Sequence, residues 1–436
     1  MNTLLSLTVL LLLTSLCLAA APSQADYLRV ANDVDHHLTN HVIRPWFPAC
    51  IDNETDGFHP NFSREWKKGP PAPKFIVFQS RMTWITATLA KHRPQLRDQM
   101  LPHARHGLRY LKDVMWDKGH GGFHWQLNSK GEVDEILGTH KQLYGAAFGL
   151  YAAAAAYDAT QDPAALQLAK DAFHWLEKHA HDNAHGGYFE IFTREGKLIL
   201  PDGPPTPRSR NFGGFVAGYK SMNSHIHILE ALSALYHVWK DELVAERLEE
   251  VLLIVRDKIA VEPGCLNLYF THDWRPVPDH DSFGHDVETA FLMLEAEETL
   301  GKHDPKTSKM ARMLVDHALD WGWDEKHGGF HDRGFAFGAA YAKEKIWWTE
   351  VEGLNALLLM HDHFGKETDR YWNAFLKQWD FIKKYQIDPD HGGLFPDLHE
   401  DGKPMNTTKG HNWKAAYHDG RSFLHVADRL RKLAKK

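Results

Sequence analysis

The hydrophobic pattern of the chain alternates between two kinds of predicted helix. Lys141 to Asp158 is nearly all apolar or alanine, whereas Ala164 to His179 carries one apolar stripe opposite a charged face. Asn223 to Trp239 and Glu242 to Lys258 are predicted as another pair of helices. A helix that is apolar all round is buried, and a helix with a single apolar stripe faces solvent on its other side. The pattern therefore predicts buried inner helices, each accompanied by an amphipathic outer helix.

A glycine turn followed by a large apolar residue recurs and gives these helices a period. The gaps between successive turns are 65, 65, 142 and 64 residues, and the longest gap spans about two units, with the missing turn expected near Gly264. Six units, each predicted as a pair of helices joined through the turn, indicate an all-α (α/α)6 barrel forming one domain over residues 26–436. The turns are Asp56-Gly57-Phe58, Gly121-Gly122-Phe123, Gly186-Gly187-Tyr188, Gly328-Gly329-Phe330 and Gly392-Gly393-Leu394.

Composition excludes several classes of protein. The 436 residues are 43% hydrophobic with a formal net charge of −7, which disfavours a disordered chain and a basic nucleic-acid binder. Three cysteines without a C-x-x-C pair predict neither a disulfide-dense scaffold nor a zinc or redox site. The 31 histidines are the unusual feature, because histidine serves both as a metal ligand and as an acid or base near neutral pH. The histidines at 120, 185, 327 and 391 repeat with the glycine turns and are interpreted as structural.

The first 25 residues predict a secretory signal peptide. They contain no charged side chain, and a leucine-rich run from Leu4 to Leu18 is followed by small residues, so cleavage is expected after Ala21 or Ala25. The apolar run is shorter than the ~20 residues that a membrane span needs. We therefore expect an exported protein, periplasmic or secreted, with no membrane segment after cleavage.

Chemically versatile side chains lie where the inner helices are predicted to begin. Several are three or four residues apart, which places them on one face of a helix. The three histidines among them favour acid/base chemistry, the glutamates need buried partners, and the tryptophans suit stacking against sugar rings. The six starts are expected to converge on one pocket, with these residues as candidates: Arg81, Trp84, Tyr144, Asn223, His227, Glu230, His285, Glu288, Trp347, Trp348, Glu352, Trp413 and His418.

Six sequence motifs around these candidate residues resemble the N-acylglucosamine 2-epimerase superfamily. The resemblance extends over essentially the whole mature chain and is strongest to the cellobiose 2-epimerase branch. The resemblance implies an (α/α)6 barrel whose members epimerise or isomerise the reducing-end sugar of a free saccharide, without a metal or another cofactor. A small saccharide is then the expected partner, with no nucleic acid. The matching motifs are QSRMTW, KQLYGAAF, NSHIHILEA, FGHDVETAFLMLEAEE, KIWWTEVEG and WKAAYHDGR.

The resemblance also implies roles for individual positions. His285 and His418 match the two acid/base histidines of the family, and His227 matches a third active-site histidine. Arg81 matches an arginine near the substrate oxygens, and Glu288 matches a glutamate partner of the histidines. Asn223, Tyr144, Trp348 or its neighbour Trp347, and Trp413 match substrate-contacting or pocket residues. The chain departs from the family at Ala415-Ala416, Asp419 and Thr349-Glu350, which we expect to touch the pocket floor and to alter sugar preference.

The leading hypothesis is a 2-epimerase for a glucose or mannose unit at the reducing end, most of all in a β-1,4-linked disaccharide. Removal of the C2 proton of an open-chain aldose gives an enediolate, and inversion requires acid/base groups on both faces, for which two histidines are suited. The alternatives are an N-acylglucosamine 2-epimerase, an aldose–ketose isomerase, an (α/α)6 glycoside hydrolase or lyase, a metal-dependent isomerase and a non-enzymatic binding protein. The binding protein would be expected to carry a leucine zipper, but the sequence shows no sustained heptad repeat.

Overall fold

The computed structural model describes residues 21–134, 140–200, 214–335 and 338–436. The predicted signal peptide lies outside these residues except for its last five positions. The described chain forms two concentric rings of helices, in which we number the helices in chain order so that odd numbers are outer and even numbers inner. They are α1 (Gln24–His37), α2 (Ile76–His92), α3 (Arg97–Tyr110), α4 (Leu143–Thr160), α5 (Pro163–His179), α6 (Met222–Val238), α7 (Glu242–Ile254), α8 (Phe283–Leu300), α9 (Pro305–Trp321), α10 (Trp347–Phe364), α11 (Arg370–Phe381) and α12 (Tyr417–Leu433).

Burial separates the two rings as the sequence predicts, and the (α/α)6 barrel is confirmed. In α4 nearly every side chain is buried, while α5 buries one stripe and exposes the other. Outer helices begin at strong caps: Asp162 accepts from the Ala164 N–H at 2.9 Å, and Pro163 follows at the first helical position. Four outer helices continue into a π-helical turn, at Leu38–Ile43, Leu111–Met115, Val255–Ile259 and Ile382–Gln386. Short helical turns also occur at Arg44–Trp46 and Pro94–Leu96.

The connections differ from the prediction in one respect. The glycine turns join each outer helix to the next inner helix, whereas the predicted pair α4 and α5 is joined by the short link Gln161–Asp162. The turns require glycine because the backbone is left-handed and crowded: Gly187 has φ 70°, and a Cβ there would lie 2.6 Å from the Trp274 ring. The missing turn lies where expected, at Gly264, with φ 129°.

Short antiparallel strands collect at the end of the barrel where the inner helices begin. Most inner helices follow directly on such a strand, so the strands fix where these helices start. Two-stranded pairs are Lys74–Phe75 with Gln126–Leu127, His140–Gln142 with Ile191–Thr193, and Ala260–Val261 with Cys265–Leu266. Three-stranded sheets, with the central strand second, are Lys220–Ser221, Tyr269–Phe270 and Pro276–Val277; Asp281–Ser282, Arg333–Gly334 and Ala340–Ala342; and Lys345–Ile346, Asp397–Leu398 and Pro404–Asn406.

Two further observations concern the chain as a whole. Among the described residues, no helix combines the length and the apolar character needed to cross a membrane. Cys50 and Cys265 are both buried, and no disulfide joins them.

Candidate functional site

A cavity of about 260 Å³ opens at the end of the barrel where the inner helices begin. Each of the six inner helices brings at least one side chain to it from its first two turns or the segment just ahead. The cavity contains all but one of the eleven catalytic and substrate-binding residues predicted with the help of the resemblance; Glu352 lies behind its wall. The lining residues are Arg81, Tyr144, Asn223, His227, His285, Glu288, Trp347, Trp348, Trp413 and His418.

His418 is positioned by Glu352, which lies behind the cavity wall. Its Nδ1 lies 2.6 Å from Glu352 Oε1, and the Glu352 side chain is fully buried. The carboxylate accepts from Nδ1–H, so Nε2 is the unprotonated nitrogen of the neutral ring. Burial and the positive charges of Arg81 and Arg421 lower the pKa of His418 well below its ordinary range, against the opposing effect of Glu288. His418 is therefore neutral near pH 7 and has the form of a general base.

His285 is placed differently, at the third residue of α8. Its Nδ1 lies 2.7 Å from the hydroxyl of Ser282, the residue at the N-cap of the helix. Burial lowers the pKa of His285 to about 4, although Glu288 one turn later acts in the opposite direction. The ring packs 4.7 Å from the Trp348 ring, which in turn lies 5.9 Å from His418. The two histidines thus flank the same tryptophan, from helices on either side of α10.

His227 forms part of a buried polar network. Its Nδ1 donates to Glu230 Oε2 at 3.1 Å, and Glu230 also accepts from the Tyr417 hydroxyl at 2.7 Å. Burial tends to raise the pKa of Glu230, but Arg421 and His227 outweigh it and shift that pKa downward. Glu230 is accordingly a structural carboxylate that orients His227, and it does not line the cavity.

Arg421 organises the floor of the site, and the residue-level prediction missed it. Its guanidinium bonds Glu288 Oε1 at 2.5 Å, Glu352 Oε1 at 2.6 Å, and Glu230 Oε1. One arginine therefore holds three buried glutamates from three inner helices. The available signal was a charged residue in an otherwise buried helical stretch, at the end of the motif WKAAYHDGR.

Arg81 is a cation in the lining of the cavity. It donates to the Tyr144 hydroxyl at 3.1 Å and to the Trp413 carbonyl at 3.1 Å, and its guanidinium lies 4.5 Å from the centre of the Phe148 ring. These contacts fix a cation at the cavity wall. Arg81 also fixes the backbone of the segment ahead of α12, because it donates to the Trp413 carbonyl.

The aromatic residues divide into two groups. Trp347, Trp348 and Trp413 line the cavity, and Trp413 is 37% exposed at its open side. Trp84 instead stacks on Tyr151 at 5.1 Å, deeper in the barrel, and does not contribute to the cavity. The expected pocket therefore contains three of the four candidate tryptophans.

The expectation that the family departures touch the pocket floor is wrong. Glu350 points away from the cavity and accepts from Gln378 Nε2 at 2.6 Å and from the Phe330 N–H at 3.2 Å. Asp419 is buried with its carboxylate 3.8 Å from Lys414 Nζ. Neither these two residues nor Thr349, Ala415 and Ala416 line the cavity.

One group at the site has the composition of a metal site. Ligand atoms of Glu288, Glu352 and His418 lie within 4.8 Å of one another. Arg421 already donates to both carboxylates and supplies the positive charge there. A metal ion there would either displace this guanidinium or be repelled by its positive charge. The residues present therefore do not fit a resident cation.

Comparison with known proteins identifies the family of the chain. Residues 57–420 match the model of the family described as N-acylglucosamine 2-epimerase. A cellobiose 2-epimerase of Bacteroides fragilis is 30% identical over 402 residues, which are 90% of this chain and 97% of the relative. The solved structure of a cellobiose 2-epimerase from Spirochaeta thermophila superposes with a TM-score of 0.82 at 30% identity, covering 94% of this chain and 98% of that one. A D-mannose isomerase of Marinomonas mediterranea is 24% identical over 86% of this chain and 91% of its own length.

Proposed function

The chain belongs to the N-acylglucosamine 2-epimerase family, and from this membership we propose that it interconverts glucose and mannose units at the reducing end of a saccharide. It is an isomerase of the epimerase type, as its relatives are. The observation that supports the proposed reaction is the convergence of His227, His285 and His418 on one cavity lined by tryptophans.

The reaction is a proton transfer at C2 of the open-chain sugar. One histidine removes the C2 proton, which is acidic because it is α to the aldehyde, and leaves an enediolate. A histidine on the other face returns a proton to C2, so the configuration is inverted and no atom is gained or lost. His418 and His285 flank the Trp348 ring and are both neutral near pH 7, so either can act as the base. The histidine that returns the proton must first take one up from solvent, and the histidine that removed the C2 proton releases it to solvent.

Charge stabilisation comes from two other side chains that line the cavity. The enediolate oxygen carries developing negative charge, and the Arg81 guanidinium and His227 face the same cavity. A preorganised donor of this kind typically contributes ~3 kcal/mol to the transition state. His227 is held by Glu230, so its free Nε2 is the atom available to assist ring opening at O1 or O5.

The size of the cavity favours one sugar ring inside it. Its volume of about 260 Å³ lies just below the ~300–1,000 Å³ of sites that enclose drug-sized ligands. A second sugar unit would lie at the open side, where Trp413 is 37% exposed and offers a stacking surface. This arrangement supports a disaccharide of the cellobiose or mannobiose type as substrate.

Deuterium exchange tests the proposal. Mature protein is incubated in D2O with cellobiose, mannobiose, mannose and N-acetylglucosamine, and the products are followed by NMR. We expect deuterium at C2 together with the C2 epimer. Absence of deuterium at C2 of all four sugars would overturn the proposal.

Aldose–ketose isomerisation is the second candidate, because return of the proton to C1 of the same enediolate yields a ketose. The similarity to a D-mannose isomerase supports it. The ratio of ketose to epimer in the D2O experiment separates the two. Hydrolysis is disfavoured because Arg421 donates to Glu230, Glu288 and Glu352 alike. Among the described residues that line the cavity, no pair of carboxylates is then free to flank a glycosidic bond.

We also propose that the protein is exported and cleaved after Ala21. Ser23 caps α1 in a capping box with Asp26, with the Asp26 N–H donating to Ser23 Oγ at 3.2 Å. Cleavage after Ala25 would remove this cap, which typically contributes ~1 kcal/mol. The intact mass of the exported protein tests the site, and an N-terminus at Asp26 would contradict it.

A further inference from the structure

Five of the six repeats share a buried ion pair that holds the glycine turn. An aspartate begins the turn, and a lysine from the segment ahead of the inner helix bonds it; Lys220 Nζ, for example, donates to Asp182 Oδ2 at 2.7 Å and to the Gly186 carbonyl at 2.7 Å. The lysines are almost fully buried. The pairs are Lys74 with Asp52, Lys141 with Asp117, Lys220 with Asp182, Lys345 with Asp324, and Lys409 with Asp388.

The fourth repeat reverses the charge at this position. Lys74, Lys141, Lys220 and Lys345 each stand two residues before their inner helix, and Asp281 occupies the same place before α8. Val261 takes the place of the aspartate that begins the turn. It follows Ala260, which pairs with Leu266 across the fourth turn. A buried carboxylate therefore stands where the other repeats place an ammonium group.

Two further side chains meet Asp281, one from the inner helix that follows this turn and one from the next outer helix. Asp286, on α8, and His317, on α9, are 0% and 3% exposed, and Asp281 is 1% exposed. His317 Nδ1 lies 3.5 Å from Asp281 Oδ2 and 3.8 Å from Asp286 Oδ2. All four carboxylate oxygens and both ring nitrogens of the group lack a hydrogen-bond partner of acceptable geometry.

The described chain places no lysine or arginine beside this cluster. No lysine or arginine there forms an ion pair with Asp281 or Asp286. Two carboxylates in contact inside a protein repel each other, and buried ions require a partner. In the other repeats the lysine supplies this partner. In the fourth repeat burial raises the pKa of Asp281 to about 9 and that of Asp286 well above its ordinary value, so the repulsion is relieved by a proton or by a bound cation.

We propose that Asp281, Asp286 and His317 bind a divalent first-row transition-metal ion that takes the place of the missing lysine. The three ligand atoms lie within 4.8 Å of one another. A tetrahedral ion with bonds of about 2.0 Å separates its ligands by about 3.3 Å, so small rotations of these side chains complete the geometry. Two carboxylates with one imidazole suit Zn²⁺ or Mn²⁺ better than Ca²⁺ or Mg²⁺, which prefer oxygen ligands alone.

The ion would act on the site by positioning. It joins the strand Asp281–Ser282, the first turn of α8 and the helix α9, and Gly264 of the fourth turn lies close to Met313 and His317 of α9. The first two turns of α8 also carry His285 and Glu288, but Asp286 does not line the cavity. The metal is therefore structural and distinct from the proton-transfer residues.

Metal binding by the full mature chain tests the inference. Protein stripped with a chelator is titrated with Zn²⁺ and with Mn²⁺ by calorimetry, and anomalous scattering from a crystal locates the ion. We expect about one equivalent bound between the three side chains, and a melting temperature that rises with metal concentration. Binding of neither metal, or an ion found instead at Glu288, Glu352 and His418, would overturn the proposal.

Variants sharpen this test. His317→Ala and Asp281→Asn are each expected to weaken binding at least tenfold. The matched control is His331→Ala, in the similar group of Asp324, His331 and Glu400, where Lys345 already supplies the cation. It should bind metal like the unaltered protein. Unchanged affinity in both Asp281→Asn and His317→Ala would contradict the assignment, and the titration of the unaltered protein decides the question even if a variant fails to fold.

Discussion

Glu352 and His418 form the hydrogen bond that fixes the protonation state of the site. Nδ1 of the histidine lies 2.6 Å from Oε1 of the fully buried glutamate, and Arg421 donates to the same oxygen. The imidazole is thereby oriented with Nε2 toward the cavity. Glu352 acts through His418 and is a positioning residue.

Replacing Glu352 by glutamine should lower kcat about 100-fold while KM changes little. The amide offers a weaker acceptor and removes the negative charge that holds the Nδ1–H tautomer and balances Arg421. Steady-state epimerisation measures the effect. The matched control is Glu350→Gln, since Glu350 is equally buried on the same helix but points to Gln378, and it should retain activity. Equal losses in the two variants would show that Glu352 has only a structural role.

Removing either acid/base histidine should abolish epimerisation while the fold is retained. His285→Ala and His418→Ala are each expected to lower the rate by about 10²–10⁴, because proton transfer then lacks one of its two groups. Incorporation of deuterium at C2 is the measurement, with far-UV circular dichroism as the check of folding. His120→Ala, at an exposed turn histidine, is the control. Normal turnover in either cavity variant would refute the assignment.

The pH dependence should show an acid limb well below the ordinary histidine range. Burial lowers the pKa of His285 to about 4 and lowers the pKa of His418 well below its usual value, so both stay neutral as pH falls through 6.5. The value of kcat/KM should therefore hold steady from pH 8 to about 5.5 and fall only toward pH 4. Recovery of activity on return to pH 7 excludes unfolding as the cause. An acid limb centred at pH 6.5 would be incompatible with these buried, neutral histidines.

Arg421 is expected to be essential for stability at neutral pH. Arg421→Met leaves Glu230, Glu288 and Glu352 buried without their shared cation, and breaking a buried pair from one side typically lowers the free energy of unfolding by ~3–5 kcal/mol. Without the arginine the carboxyl pKa values rise, so the deficit relative to the unaltered protein should shrink as pH falls from 7 to 5. Urea unfolding at the two pH values measures this. A deficit that is constant with pH would argue against a charge effect.

Sequence periodicity was sufficient for the fold because helix burial repeats locally. The all-apolar stretch around Gly145 and Gly149 has no face for solvent, and the Asp-Pro pair at 162–163 begins an outer helix by local hydrogen bonding. The glycine turns repeat because their left-handed backbone excludes side chains. Which two helices each turn joins was predicted wrongly. The same repeat length fits a turn before an inner helix and a turn after it, and the structure places the turn before it.

The sequence by itself determined the barrel, the end at which the inner helices begin, and the residue types that meet there. Only the tertiary structure decided how those residues divide between contact with the cavity and support behind it. Arg421 collects glutamates from α6, α8 and α10, Glu350 turns away from the cavity, and Asp281 meets His317 from another helix. These relations join residues up to 191 positions apart. No local pattern encodes them, because they arise where separate helices pack and where buried charges must find partners.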